Sequence, residues 1–179
     1  QKESHAIALF PGGFGTHDEG FEIMTLVQTG KSDPKPIVCL QAPGCDYWNH
    51  WNSFITEQLL KRHLINPEDL SLFTIVDNVE DAVTEIRTFY RRYHSLRFVG
   101  RQLAIRLKTP LTDVQVGDLQ QQFKDMLTEG TFEQRTSLPE EMDEPGLKEL
   151  ARLTFSFNRR NAGRLRQLIN HLNHLPVTA

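Results

Sequence analysis

The sequence is poor in cysteine, in long apolar runs and in excess positive charge. Its 179 residues include two cysteines, Cys39 and Cys45, which form neither a disulfide framework nor a C-x-x-C metal motif, so we expect reduced thiols in a cytoplasmic protein. No apolar run approaches the ~20 residues that cross a bilayer, so no membrane partner is expected. The formal net charge of −3 gives no global attraction to nucleic acid, and none is expected as a partner.

Seven histidines invite a metal hypothesis, but their spacing does not favour one. His50, His63 and His94 show no H-E-x-x-H or close-pair pattern. His171 and His174 lie three residues apart without an obvious third ligand. We therefore predict no metal site and no cofactor.

The first half of the sequence alternates short apolar runs with helical patterns. Apolar runs that predict buried strands cover residues 5–10, 37–40 and 72–76. Helical periodicity, with Thr16 and Asn78 as N-caps, covers residues 16–28, 47–63 and 78–93. This alternation predicts a parallel α/β sheet. Three strands make a short sheet and the first residue is Gln1, so we expect the C-terminal part of a longer protein.

The second half predicts a small α+β module, a β-α-β-β-α unit with an antiparallel sheet. Its predicted strands and helices cover residues 103–107, 132–136 and 153–157, and residues 112–127 and 161–172. An acid-rich stretch at residues 138–146 is predicted to be a mobile loop. We divide the chain into a nucleotide-binding domain at residues 1–97 and a module at residues 98–179 for dimerisation or regulation.

A glycine-rich turn, Phe10-Pro-Gly-Gly-Phe-Gly-Thr16, joins the first predicted strand to the first helix. Gly12, Gly13 and Gly15 let the backbone approach a ligand closely, and Thr16 can offer its hydroxyl. Unpaired N–H groups and the helix dipole attract anions to a helix N-terminus, and open α/β sheets bind ligands at the carboxyl ends of strands. These features predict a phosphate-binding turn, and the alternative is a structural tight turn capped by Thr16.

Two carboxylates, Glu19 and Glu22, follow the turn on one helix face. Beside a bound nucleotide, a carboxylate can stabilise the positive charge that develops on a ribose during glycosidic cleavage. Helix physics alone favours structural roles, with Glu19 as the capping-box partner of Thr16 and Glu22 on a solvated face.

The run Pro11-Gly-Gly-Phe-Gly-Thr-His-Asp-Glu19 resembles the P-G-G-x-G-T-x-x-E signature of the Lonely Guy family. Members of that family are cytokinin riboside 5′-monophosphate phosphoribohydrolases, formerly described as lysine decarboxylases. The similarity covers about residues 4–93. It implies a Rossmann-like fold, here a partial one, and hydrolysis of a nucleoside 5′-monophosphate to free base and ribose 5-phosphate. It also implies a homodimer or higher homo-oligomer.

The same resemblance implies roles for individual residues. Glu19 would be the catalytic carboxylate, and Glu22 would contact the ribose. The phosphate would be held by Gly12, Gly13, Gly15 and Thr16.

The sequence departs from the family pattern at both ends. The arginine of the family's R-K pair is expected just before Gln1, so we expect little catalysis from a chain that begins there. The tail after Tyr93 resembles the extension of longer bacterial homologues, so ordinary purine or pyrimidine monophosphates such as AMP are the expected substrates. The alternative is a non-catalytic nucleotide-binding or sensing protein of the same fold.

Aromatic and basic clusters are assigned structural roles. Trp48 and Trp51 are predicted to pack in the core, with base stacking as the alternative. His17 is expected at the solvent edge of the turn. The first of two arginine groups is expected to form a solvated basic helix end, with a phosphate or RNA role as the alternative. The second group is expected to meet the acidic residues 140–144 or a partner subunit rather than nucleic acid. These groups are Arg87, Arg91, Arg92 and Arg97, and Arg159, Arg160, Arg164 and Arg166.

Overall fold

The computed structural model describes residues 4–141 and 144–177 of the chain. These residues form two compact units, which are described separately. The first unit contains residues 4–89 and 160–167, and the second contains the described residues of 90–159 and 168–177. In the part described, no helix is both long and apolar enough to cross a membrane. The division into domains at residues 1–97 and 98–179 stays a prediction.

The first unit is built on a parallel three-stranded sheet. Its strands are β1 (Ile7–Leu9), β2 (Ile37–Leu40) and β3 (Thr74–Val76), in the order β1-β2-β3. Ile7 pairs with Ile37 in this register. All four residues of the middle strand β2 are buried, as expected of an apolar run in the centre of a parallel sheet.

Helices connect these strands. α1 (Phe14–Gln28) follows β1, and α2 (Tyr47–Phe54) follows β2 and continues as a π-helix at Ile55–Leu60. A 3-10 helix at Pro67–Leu72 leads into β3, and α3 (Val79–Phe89) follows it. The predicted alternation of strand and helix is therefore confirmed, and with it the α/β class of this unit.

The start of α1 differs from the prediction. Gly13, rather than Thr16, is the N-cap, and its carbonyl oxygen accepts hydrogen bonds from the N–H groups of Thr16 (3.1 Å) and His17 (3.4 Å). Glycine is tolerated at an N-cap, and Gly13 in an extended conformation lets the helix begin directly after the turn. The predicted capping box of Thr16 and Glu19 is therefore wrong.

The core of the first unit is formed by β1, β2, α1, α2, the π-helix and the 3-10 helix. The indole N–H of Trp48 donates a hydrogen bond to the Leu40 carbonyl oxygen at 3.2 Å. The core packing predicted for Trp48 and Trp51 is confirmed. The buried residues of this cluster are Leu9, Ile23, Val27, Ile37, Cys39, Trp48, Trp51, Ile55 and Leu72.

The second unit contains an antiparallel sheet in the order β4-β5-β7-β6. Its strands are β4 (Tyr93–Val99), β5 (Gln102–Leu107), β6 (Glu133–Arg135) and β7 (Ala151–Phe155). Its helices are α4 (Asp113–Gln122), which Thr112 caps, and the part of α5 (Ala162–His174) from Leu168 onward. The predicted α+β class of this module is confirmed.

Strand β4 was missed by the sequence analysis. The helix predicted to reach residue 93 ends at Phe89, and Tyr93 instead begins β4. The strand lacks clean alternation because an irregularity between Tyr93 and Ser95 shifts its register against β5. The element order is β-β-α-β-β-α, so the predicted β-α-β-β-α order is wrong.

The acidic segment, residues 138–146, is held to the sheet by ion pairs of Glu141 and Glu144. Buried Glu141 pairs with Arg106 Nη2 at 2.6 Å and with Arg152 Nε at 2.9 Å. Glu144 pairs with Arg97 Nη1 at 3.0 Å and also with Arg106. The predicted mobility is wrong at Glu141, because arginines on β5 and β7 hold its carboxylate. Residues 142–143 of this segment lie outside the described residues.

Two arginines, one from each predicted basic group, are buried. Arg92 donates from Nε to Thr109 Oγ1 at 3.0 Å. Arg166 donates from Nη2 to Glu85 Oε1 at 3.0 Å and from Nη1 to the Lys35 carbonyl oxygen at 2.7 Å. The predicted solvated location is wrong for Arg92, because its guanidinium group bonds inside its own unit. Arg166 pairs with a carboxylate outside the acidic segment.

Candidate functional site

The glycine-rich turn is held together by a close approach between Gly12 and Thr16. A Cβ atom added at Gly12 would overlap the Thr16 Oγ1 atom, so any other residue here would force the Thr16 side chain to move. A Cβ at Gly13 or Gly15 would meet no atom within 4 Å among the described residues. The structure therefore brings Gly12, Gly13, Gly15 and Thr16 together at the N-terminus of α1. Their binding of phosphate stays a prediction.

Tyr47, at the start of α2, fixes the turn from the side, and the sequence analysis missed it. Its hydroxyl donates to the Gly12 carbonyl oxygen, and its oxygen lies 2.8 Å from His17 Nε2. The Tyr47 and His17 rings stack with centroids 5.8 Å apart. His17 has intermediate solvent exposure in this contact, which agrees with its predicted place at the solvent edge of the turn. The sequence offered one indication of this contact: Tyr47 follows β2 closely, and β2 lies beside β1, the strand that precedes the turn.

The two carboxylates are exposed on α1. Glu19 lies three residues after Thr16 and Glu22 three residues after Glu19, so these side chains project along one helix face. The turn lies at the N-terminus of α1, so the helix places both carboxylates beside the turn. The same N-terminus attracts anions. The catalytic role of Glu19 and the ribose contact of Glu22 stay predictions.

An open crevice of about 540 Å³ lies beside the turn, at the carboxyl ends of all three parallel strands. Phe10 and Pro11 line it after β1, Leu40 and Cys45 at and after β2, and Asn78 after β3. Its walls are mostly apolar. The position is where open α/β sheets bind ligands, and the volume is in the range of small-molecule sites.

Gln41 links the ends of β2 and β3 in the wall of this crevice. Its Nε2 donates to Asp77 Oδ1 at 2.9 Å, and its Oε1 accepts from the Trp48 backbone N–H at 2.8 Å. Asn78 Oδ1 accepts from the Asp81 N–H at 2.8 Å, as expected of the predicted cap of α3. Both side chains are thus held in place before any ligand arrives, which lowers the entropy cost of binding.

The two cysteines differ in their surroundings. Burial in β2 raises the pKa of the Cys39 thiol to about 12, so this thiol stays protonated. Cys45 is half-buried in the crevice wall. Within residues 4–141 and 144–177, no group of three His, Cys, Asp or Glu side chains is arranged to hold a metal ion.

Taken together, the first unit is a parallel α/β fold with a glycine-rich turn at the carboxyl end of a strand. Residues 1–86 match the model of the family described as "Possible lysine decarboxylase". The Lonely Guy resemblance predicted from the P-G-G-x-G-T-x-x-E motif is thereby confirmed for this part of the chain.

Two curated relatives match about half of this chain. A cytokinin riboside 5′-monophosphate phosphoribohydrolase of Mycobacterium tuberculosis (strain ATCC 25618 / H37Rv) is 34% identical over 85 residues, which are 46% of this chain and 42% of that protein. Cytokinin riboside 5′-monophosphate phosphoribohydrolase LOG1 of Arabidopsis thaliana is 28% identical over 95 residues, which are 53% of this chain and 43% of that protein. The chain therefore spans less than half of the length of these relatives.

Proposed function

We propose that residues 1–97 carry the phosphate turn and the catalytic carboxylate of a nucleoside 5′-monophosphate phosphoribohydrolase. The observation that supports this most is the fit of Thr16 against Gly12 at the N-terminus of α1, with Glu19 one helical turn further on. In the proposed reaction, the N-glycosidic bond breaks and water supplies a hydroxyl group to the anomeric carbon and a proton to the base. The products are free base and ribose 5-phosphate.

The phosphate is proposed to bind at the turn. The open space around Gly13 and Gly15 lets phosphate oxygens approach the backbone N–H groups of the first helical turn. The Thr16 hydroxyl adds a side-chain donor, and the positive end of the α1 dipole favours the anion. Tyr47 keeps the turn in place because it bonds the Gly12 carbonyl oxygen.

Glu19 is proposed to act on the ribose. Its carboxylate would stabilise the positive charge of an oxocarbenium-like transition state, and a water molecule would attack the anomeric carbon. Glu22, one turn further along the same face, would contact a ribose hydroxyl. Both residues lie on a helix, which positions them more firmly than a loop would.

The crevice supports a nucleotide-sized ligand. Its volume of about 540 Å³ and its apolar walls suit a planar base that emerges from the turn. We extend the proposal to ordinary purine or pyrimidine monophosphates such as AMP. We also extend it to a homodimer or higher homo-oligomer, which light scattering on the purified protein can check.

The proposal is tested by incubating the full-length protein with the common nucleoside 5′-monophosphates and identifying the products. We expect free base and ribose 5-phosphate in equal amounts from at least one of them. Nucleoside and inorganic phosphate would indicate a phosphatase and contradict the proposal. No release of base from any monophosphate would also contradict it.

A nucleotide-binding protein without turnover is the second candidate. The exposure of Glu19 and Glu22 favours it, because catalytic carboxylates are commonly found in partly buried positions. In this case the turn and the crevice would bind AMP with unchanged affinity after Glu19→Gln, and the incubation would yield no base. Binding without release by the full-length protein therefore selects this candidate.

A further inference from the structure

Two large apolar side chains that line the crevice beside the turn are exposed. Phe10, which directly follows β1, is 58% exposed, and Val79, the first residue of α3, is 60% exposed. Apolar surface gains free energy when it leaves water, and exposed apolar surface gathered in a concave wall is typical of a ligand-binding groove. The crevice therefore holds apolar surface that is open to a ligand.

The sheet places Phe10 and Val79 on the two sides of the crevice. β1 and β3 both neighbour β2, so their ends lie about 10 Å apart across the middle strand. The two strands end within one residue of the same level, because Leu9 pairs with Cys39 and the next residue of β2 pairs with Val76. A flat ligand in the crevice is thus flanked by one of these side chains on each side.

Polar side chains of the crevice wall are already engaged within the protein. Gln41 donates from its amide nitrogen to Asp77 (2.9 Å) and accepts at its amide oxygen from the Trp48 N–H (2.8 Å). Asn78 donates to the Asp81 carboxylate and accepts from the Asp81 N–H, at 2.8 Å in both cases. Apolar contact is therefore the main attraction that this wall offers to a base.

We propose that Phe10 and Val79 are specificity-determining residues that form a base clamp, in which the Phe10 ring stacks on one face of the base and Val79 packs on the other. This inference rests on the proposed function, which assigns the phosphate to the glycine-rich turn. Aromatic side chains stack on nucleic-acid bases through their π faces. The base clamp favours the nucleotide over the product ribose 5-phosphate, which has no base and leaves the site more readily.

The test compares AMP with ribose 5-phosphate by isothermal titration calorimetry on the full-length protein. Every variant also carries Glu19→Gln, so that AMP is not consumed. We expect Phe10→Ala to weaken AMP about tenfold and to leave ribose 5-phosphate unchanged, because only AMP carries a base. Phe10→Trp keeps an aromatic face and is expected to retain the affinity for AMP. Equal weakening of both ligands by Phe10→Ala would indicate a disturbed turn and overturn the base clamp.

Exposed apolar residues outside the crevice supply matched controls. Phe54, at the end of α2, is 49% exposed, and Val83, one helical turn after Val79, is 45% exposed; neither lines the crevice. Phe54→Ala and Val83→Ala are expected to leave the affinity for AMP unchanged. Val79→Ala is expected to weaken AMP about threefold, because it removes apolar contact with the base. Equal effects of Val79→Ala and Val83→Ala would refute the part assigned to Val79.

Failure of the base clamp is distinguishable from failure of the proposed function. If neither AMP nor ribose 5-phosphate binds, the phosphate turn is contradicted and the base clamp with it. If both ligands bind and Phe10→Ala keeps the ratio of their affinities, the base clamp alone is contradicted. If Phe10→Ala weakens only AMP but the protein without Glu19→Gln releases no base, the base clamp is supported and the hydrolase is contradicted.

Discussion

At the residue scale, the turn depends on the space that Gly12 leaves for Thr16. We expect Gly12→Ala to lower the free energy of unfolding by about 1–3 kcal/mol, because the added methyl group collides with the Thr16 hydroxyl. Gly15→Ala is the matched control. It lies in the helix with free space around it, so we expect a neutral or slightly stabilising effect. Urea unfolding followed by circular dichroism measures both, and equal losses would contradict the role given to Gly12.

The cysteines provide a second prediction at this scale. Iodoacetamide at mildly alkaline pH is expected to modify Cys45 in the crevice wall and to leave Cys39 intact until the protein unfolds. Cys39 is buried and its pKa is raised to about 12, so it supplies almost no thiolate. AMP is expected to slow the reaction of Cys45, because the nucleotide would cover the crevice. Mass spectrometry of the labelled peptides reports both outcomes, and faster labelling of Cys39 would contradict this account.

At the element scale, the second unit depends on carboxylates that link its acidic segment to its sheet. Burial alone would raise the pKa of Glu141, but hydrogen bonds from Arg152, the Leu138 backbone and Arg106 outweigh burial and lower it. A lowered folded-state pKa contributes stability above the ordinary glutamate range, and that stability is lost as the pH falls through the folded value. We therefore expect the free energy of unfolding to fall as the pH is lowered from about 5 to 3.

Substitution of Glu141 tests the same link directly. Glu141→Gln leaves buried Arg152 without its carboxylate partner and buried Arg106 with Glu144 alone, and we expect a loss of about 3–5 kcal/mol at neutral pH. The variant should also show a flatter dependence of stability on pH. Glu140→Gln, which changes an exposed neighbour, is expected to cost less than about 0.5 kcal/mol. Similar urea midpoints for the two variants would contradict the role of Glu141.

The elements also show how far sequence patterns could predict this fold. β2 was predicted with its exact bounds, because a short apolar run between turn residues leaves few alternatives. The helix start at Gly13 and the strand β4 were not predicted. A glycine cap carries no side-chain signal, and the irregular register of β4 obscures its alternation. The glycine turn was located correctly, but the Tyr47 contact depends on two strands lying side by side and required the structure.

At the scale of the whole molecule, the proposed activity rests on the first unit, which contains the described residues of the stretch 1–86 that matches the family model. Its turn, its two exposed carboxylates and its crevice are contained in residues 10–79. All of the described residues that line the crevice belong to the first unit. The net charge of −3 gives no long-range attraction for an anionic ligand. Such a ligand would therefore be recognised locally, at a helix N-terminus.

The most direct test measures the rate of base release from a nucleoside 5′-monophosphate by the full-length protein before and after Glu19→Gln. Asp18→Asn, at the neighbouring exposed acid, serves as the matched control. We expect Glu19→Gln to lower the rate about a hundredfold or more while nucleotide affinity is retained, and Asp18→Asn to retain most of the activity. Base release that persists at the same rate in Glu19→Gln would contradict the catalytic role of Glu19.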